Sequence, residues 1–108
     1  MDTKYGETLK VILKCLEDCN TCFDACLKEE DVKMMAECIR LDRECADICT
    51  FVAQAITRNS PFAGQILELC AEICDRCAEE CAKHDMDHCK RCAESCRKCA
   101  EACRQAVA

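Results

Sequence analysis

Sixteen of the chain's 108 residues are cysteine, and most stand three or four positions from the next. The run Cys70-Ala-Glu-Ile-Cys74-Asp-Arg-Cys77-Ala-Glu-Glu-Cys81 sets the pattern, with no proline or glycine inside it to break a helix. At about 100° per residue, these spacings keep the four thiols within an arc of roughly 60° on one helical face. The same stripe recurs at Cys15, Cys19, Cys22 and Cys26, and with one more member at Cys89, Cys92, Cys96, Cys99 and Cys103. A shorter version runs through Cys38, Cys45 and Cys49. Every cysteine belongs to one of these four stripes.

Several chemistries use thiols, and the spacing separates them. A free cysteine packs as a small hydrophobe, but that leaves the strict repetition unexplained. Disulfides suit it poorly, since neighbours on one helical face are badly directed to bond each other. Zinc prefers isolated tetrahedral sites and iron–sulfur clusters draw on cysteines in loops, whereas continuous stripes offer a column of sulfur. A soft monovalent ion that accepts two or three thiolates, each able to bridge, fits a column best, and Cu(I) is the physiological candidate. With every thiolate shared between two ions, capacity approaches one metal per sulfur, ~15 ions per chain. A zinc or mixed soft-metal buffer is the alternative. A thiol redox sensor is a third reading, and it needs exposed, low-pKa cysteines beside cations.

Softer or secondary donors gather near the stripes. His84 extends the Cys81 stripe by three positions, and His88 lies at the margin of the Cys89 stripe. Met34, Met35 and Met86 are further candidates, either as transient Cu(I) ligands or as gap-filling core residues. Asp42 stands on the inward arc of its stripe and is expected to pair with a nearby arginine, or otherwise to tune the adjacent thiols. No Ser-His-Asp set, paired Glu-x-x-His motif or phosphate-binding glycine loop occurs, so the chain is not expected to be an enzyme.

The elements that carry the stripes follow from punctuation. Helix 1 is expected to start near Thr3 to Gly6 and run to about Lys28, with Thr8, Val11 and Ile12 inward and Lys10, Lys14, Glu17 and Asp18 outward. Glu29-Glu30-Asp31 reads as a connection, with Asp31 as N-cap of a second helix that runs to about Arg58 and carries Met34, Val52 and Ile56 on its seam. Asn59-Ser60-Pro61 is the clearest boundary: Ser60 suits an N-cap and Pro61 the first helical position. A third helix covers about Pro61 to Lys83, and a fourth runs from near Asp87 to about Gln105. Short connections between four such helices predict an all-α, antiparallel, up-down-up-down four-helix bundle over residues 1–108, a single domain with a cysteine-lined core. This topology collects Val11, Ile12, Phe51, Val52, Phe62, Ile66 and Leu67 as an apolar plug at one end. The other end receives Cys26, Met34, Met35, Cys38, Cys81, His84, Met86, His88 and Cys89.

A net charge of −6 and a pI near 4.9 oppose nucleic acid as a partner, since phosphate binding needs a basic face. No apolar run reaches the length of a signal peptide or membrane span, so a cytoplasmic protein without membrane contact is expected.

Nearly the whole chain resembles the bacterial cytosolic copper storage proteins, a family of cysteine-rich four-helix bundles. The resemblance rests on the C-x-x-x-C pairs of all four helices, on Arg40-Leu-Asp-Arg-Glu-Cys-Ala-Asp-Ile-Cys49 and on Cys81-Ala-Lys-His-Asp-Met-Asp-His-Cys89. It implies Cu(I) stored inside each bundle, buffering and detoxification, assembly into homotetramers, loading through the open end, and exchange with a copper donor or acceptor protein. The sixteen cysteines match the family's storage positions, with His84, Met86 and His88 at the mouth. Helix 2 departs from the pattern with three cysteines.

Overall fold

The computed structural model describes residues 5–108, so the expected helix start at Thr3 lies outside the described residues. Four α-helices follow in order: α1 Gly6–Leu27, α2 Ala36–Thr57, α3 Ala63–Cys81 and α4 Asp87–Val107, with a short 3-10 helix at Val32–Met35 before α2. No strand occurs among the described residues. Each helix packs on its sequence neighbour, and α4 closes against α1, giving a bundle of 44 × 19 × 19 Å. Sulfur contacts fix the direction of each pair. Cys15 meets Cys45 and Cys22 meets Cys38, so α1 and α2 run in opposite senses. The pairs Cys45–Cys74 and Cys38–Cys81 do the same for α2 and α3, and Cys15–Cys96 and Cys22–Cys89 for α1 and α4.

The boundaries have local causes. Asn59 takes a left-handed φ of 56°, which a short polar side chain tolerates. The N–H groups of Asn59 and Ser60 return to the carbonyls of Ile56 and Ala55, closing α2 with a Schellman turn. Ser60 Oγ accepts the Phe62 N–H at 3.1 Å within the turn. α3 nevertheless starts at Ala63, behind an N-cap at Phe62 that makes no side-chain capping bond. Ser60 is therefore not its N-cap, nor Pro61 its first residue. The expected cap at Asp31 does not form: its side chain makes no capping bond, and the 3-10 turn intervenes before α2. α4 runs two residues beyond the expected Gln105.

That 3-10 turn also resets the helical phase. Each of its residues advances about 120° instead of 100°, so going backward from Ala36 the inward face shifts by about 20° per residue. Met35 is thereby fully buried, while Met34, expected on the α2 seam, is 66% exposed. The apolar end likewise differs from expectation. Ile12, Val52, Ile56 and Leu67 fill it, with Val11 and Ile66 half-buried, but Phe51 and Phe62 are exposed. Phe51 lies two positions from Cys49, about 200° around the helix, and Phe62 sits in the turn before α3. Asp18, expected to face out, is buried at the α1–α4 seam. It accepts hydrogen bonds from Ser95 Oγ and, at 3.3 Å, from Lys14 Nζ.

Candidate metal centre

All sixteen cysteines are free and fully buried. This follows from the stripes: with four inward arcs facing one axis, every position on them loses contact with solvent. The inter-helical Sγ–Sγ separations are 3.4 Å for Cys45–Cys74 and Cys38–Cys81, 3.6 Å for Cys19–Cys96 and 3.7 Å for Cys92–Cys19. Such spacing lets two or more sulfurs reach a common ion.

The sulfurs form sets of four whose donor atoms all lie within 4.8 Å of one another. Cys15, Cys49, Cys74 and Cys99 make one set; Cys15, Cys19, Cys45 and Cys96 the next; then Cys19, Cys77, Cys92 and Cys96; and Cys22, Cys26, Cys38 and Cys89 near the mouth. The first three sets share members, and the set of Cys22, Asp42, Cys81 and Cys92 links the third to the fourth. Cys15 belongs to the first two, and Cys19 and Cys96 to the second and third. Discrete tetrahedral sites need private ligands, whereas shared ones describe bridging. Cys70, 3.8 Å from Cys74, carries the column on toward the apolar end, where Cys103 is also fully buried.

Asp42 interrupts the sulfur, on the inward arc where its spacing puts it but with partners other than the expected arginine. It meets no arginine. Instead it is fully buried inside the column, where one oxygen accepts from Cys77, Cys81 and Cys92 at 3.3, 3.4 and 3.3 Å, and the other from Cys38 at 3.7 Å. With Cys22, Cys81 and Cys92 it forms a further set of four. Its spacing held the signal: four after Cys38 and three before Cys45, it completes on α2 the four-three-four rhythm of the other helices. Burial, reinforced by the neighbouring Cys92 and Cys38 sulfurs, pushes its carboxyl up to about 9. Burial likewise pushes Cys89 up to about 12 and raises Cys26. An incoming cation therefore has protons to displace.

The mouth donors divide. His88 Nδ1 lies 3.4 Å from Cys22 Sγ, 3.6 Å from Cys89 Sγ and 4.0 Å from Cys26 Sγ. Its Nε2 lies 3.0 Å from Glu29 Oε2. His84, in the connection just after α3, instead has its Nε2 held 3.0 Å from Glu80 Oε2. Met35 is buried in the core and Met86, preceding α4, packs half-buried against it; Met34 points to solvent, apart from the sulfurs.

The copper storage protein (Csp) family model matches residues 1–108. The chain belongs to that family. It is similar to the Cu(I)-bound copper storage protein BsCsp3, with 45% identity and a TM-score of 0.95 over 98% of this chain and 100% of that one. It is also similar to metal-free copper storage protein 3 from Bacillus subtilis, at 46% identity and TM-score 0.92 over 96% and 99%. A cytosolic copper storage protein from Streptomyces lividans, loaded with five coppers, matches at 36% identity and TM-score 0.93 over 96% and 92%. Among curated proteins, an uncharacterised cysteine-rich protein of B. subtilis, YhjQ, is 47% identical over 70 residues, which are 64% of this chain. The match spans 65% of that relative's length. No helix among the described residues is long and apolar enough to cross a membrane.

Proposed function

We propose that this chain stores Cu(I) in the thiolate column of a single four-helix domain, taking up many ions and so buffering and detoxifying the metal. The observation that carries the reading is the sharing of cysteines between successive sets of four, which favours bridged ions over separate sites. Complete burial of all sixteen thiols speaks against a redox sensor, whose reacting cysteine must be reachable. The Cu(I)-bound and five-copper relatives support the choice of metal. The all-cysteine ligand set, with His84, Met35, Met86 and His88 passing ions at the mouth, belongs to this proposal. So do a homotetramer, cytoplasmic residence and exchange with a copper donor or acceptor protein; the cytosolic description of the S. lividans relative supports the location. Nothing in the site assembles a catalytic constellation, and we assign storage without catalysis.

An anaerobic Cu(I) titration against a chromophoric competitor tests the reading. Saturation near one ion per cysteine, ~15 per chain, is expected where thiolates bridge. Saturation at four or fewer would point to discrete zinc-like sites and sink it. Light scattering that returned the mass of one bundle would remove the tetramer alone.

A further inference from the structure

Two imidazoles stand at the mouth, each held at 3.0 Å by a glutamate, yet the two pairs are built differently. Glu80 stands in the last turn of α3 and His84 just beyond its end, four residues apart in sequence. His88 and Glu29 are 59 positions apart and join α4 to the connection after α1. Glu29 is itself anchored there, its N–H bonded to the Cys26 carbonyl at 3.2 Å. The far nitrogen of His88, and not that of His84, is recorded against sulfur: Nδ1 lies within 3.4–4.0 Å of Cys22, Cys89 and Cys26. A carboxylate only accepts hydrogen bonds, so at 3.0 Å it requires a proton on Nε2; a bare Nε2 lone pair there would face a lone pair of Oε2. In the neutral ring that leaves Nδ1 unprotonated.

We propose that Glu29 is a positioning residue, whose bond to Nε2 fixes the tautomer and ring orientation of His88 and so presents the Nδ1 lone pair to the Cys22–Cys26–Cys89 thiols. The role rests on the storage reading and deepens it, because it makes these three sulfurs and Nδ1 a mixed site for the first ion to arrive. Carboxylates behind metal-binding histidines act in this way generally, and losing one costs about 10- to 100-fold in metal affinity or activity. Both partners are mostly shielded, with side chains 13% and 31% exposed, so solvent competes only in part for the bond. Glu80 holds His84 as a close sequence neighbour at the end of α3 and carries no such consequence for the sulfurs.

The test uses the full-length metal-free protein, labelled with 15N, and two variants. Long-range 1H–15N spectra report which ring nitrogen carries the proton. Wild type and Glu29→Gln, which keeps an oxygen acceptor, are expected to show His88 protonated at Nε2; Glu29→Leu is expected to spread the proton over both nitrogens. Stopped-flow uptake of the first equivalent from a weak Cu(I) donor should slow about 10-fold in Glu29→Leu and recover most of the wild-type rate in Glu29→Gln. Circular dichroism and final capacity, unchanged in both variants, would exclude misfolding as the cause. Protonation at Nδ1 in the wild type, or a Glu29→Leu variant with wild-type spectrum and rate, overturns the role. The wild-type titration keeps the two ideas apart: ~15 ions with an indifferent Glu29 removes this inference alone, whereas four ions or fewer removes the storage reading beneath it.

Discussion

The two ends of the bundle are made by the same four helices and behave as opposites. At one end the inward stripes continue into Ile12, Val52, Ile56 and Leu67, all buried and without a donor atom. At the other they continue into Met35, His84, Met86 and His88, backed by Glu29 and Glu80. Between them the walls are sulfur throughout, apart from Asp42. Direction is thus written in only a few positions per helix. Where the stripe ends in hydrocarbon, the bundle gains stability and a cation meets no ligand. Where it ends in imidazole and thioether, it presents weaker donors, which on the storage reading proposed above hand an ion inward without trapping it.

The largest expected effect comes from breaking the apolar end. Leu67 is fully buried there, and Leu67→Ala removes its contacts and leaves a cavity. A loss of about 2–5 kcal/mol in the metal-free protein is expected, read by urea denaturation. Copper capacity should stay the same, since no sulfur moves. If this variant instead loaded copper markedly faster than wild type, ions would be crossing the plug and the contrast between the ends would fail.

The complementary variant is His84→Ala with Met86→Ala and His88→Ala. Removing these mouth donors should slow Cu(I) uptake and removal by roughly 10- to 100-fold. Final capacity should be nearly unchanged, as the column is intact. Stopped-flow loading measures the rate and a competitor titration the capacity. Unchanged rates would reduce the three side chains to caps and surface, leaving the mouth as inert as the plug.

How far the sequence reveals this arrangement varies with the kind of signal. The stripes are legible because 3.6-residue periodicity and a residue type that is rare in such density coincide; from them follow the bundle, its topology and the burial of all sixteen thiols. The boundary at Asn59-Ser60-Pro61 is legible because left-handed tolerance, capping and proline all act locally. Met34 and Met35 are not separable by pattern, since a single 3-10 turn decides which faces in, and nothing in Val32-Lys-Met-Met35 announces it. Phe51 and Phe62 mislead because size and hydrophobicity favour burial while helical phase does not. Asp42 fails for the opposite reason. Its phase was correct, but a carboxylate among thiols seemed to require a cation. Glu29 had no signal at all, because its partner is 59 residues away.

The one effect that depends on pH concerns Asp42, and it asks whether the column behaves as one medium. Its carboxyl is pushed up to about 9 in the folded protein, chiefly by burial, against an ordinary value of 3.8. The sign follows. Below the unfolded value both states are protonated and the full stability is present. As pH rises, the unfolded chain ionises first while the folded one keeps its proton, so stability falls until the folded group also ionises near 9. The metal-free protein should therefore be more stable at pH 5 than at pH 8. Asp42→Asn, which carries an amide of the same shape that does not titrate, should flatten that slope. In the folded protein at pH 5 both side chains are neutral and can hydrogen-bond, so the two proteins should differ least at that end of the range and diverge toward pH 8. Urea denaturation of both proteins across this range measures the difference. Equal slopes would mean that Asp42 is already ionised in the empty column, with its charge carried by the S–H groups of Cys77, Cys81 and Cys92. The mid-column would then be polar enough to draw a cation by charge, and the two ends would cease to be what sets the direction of copper.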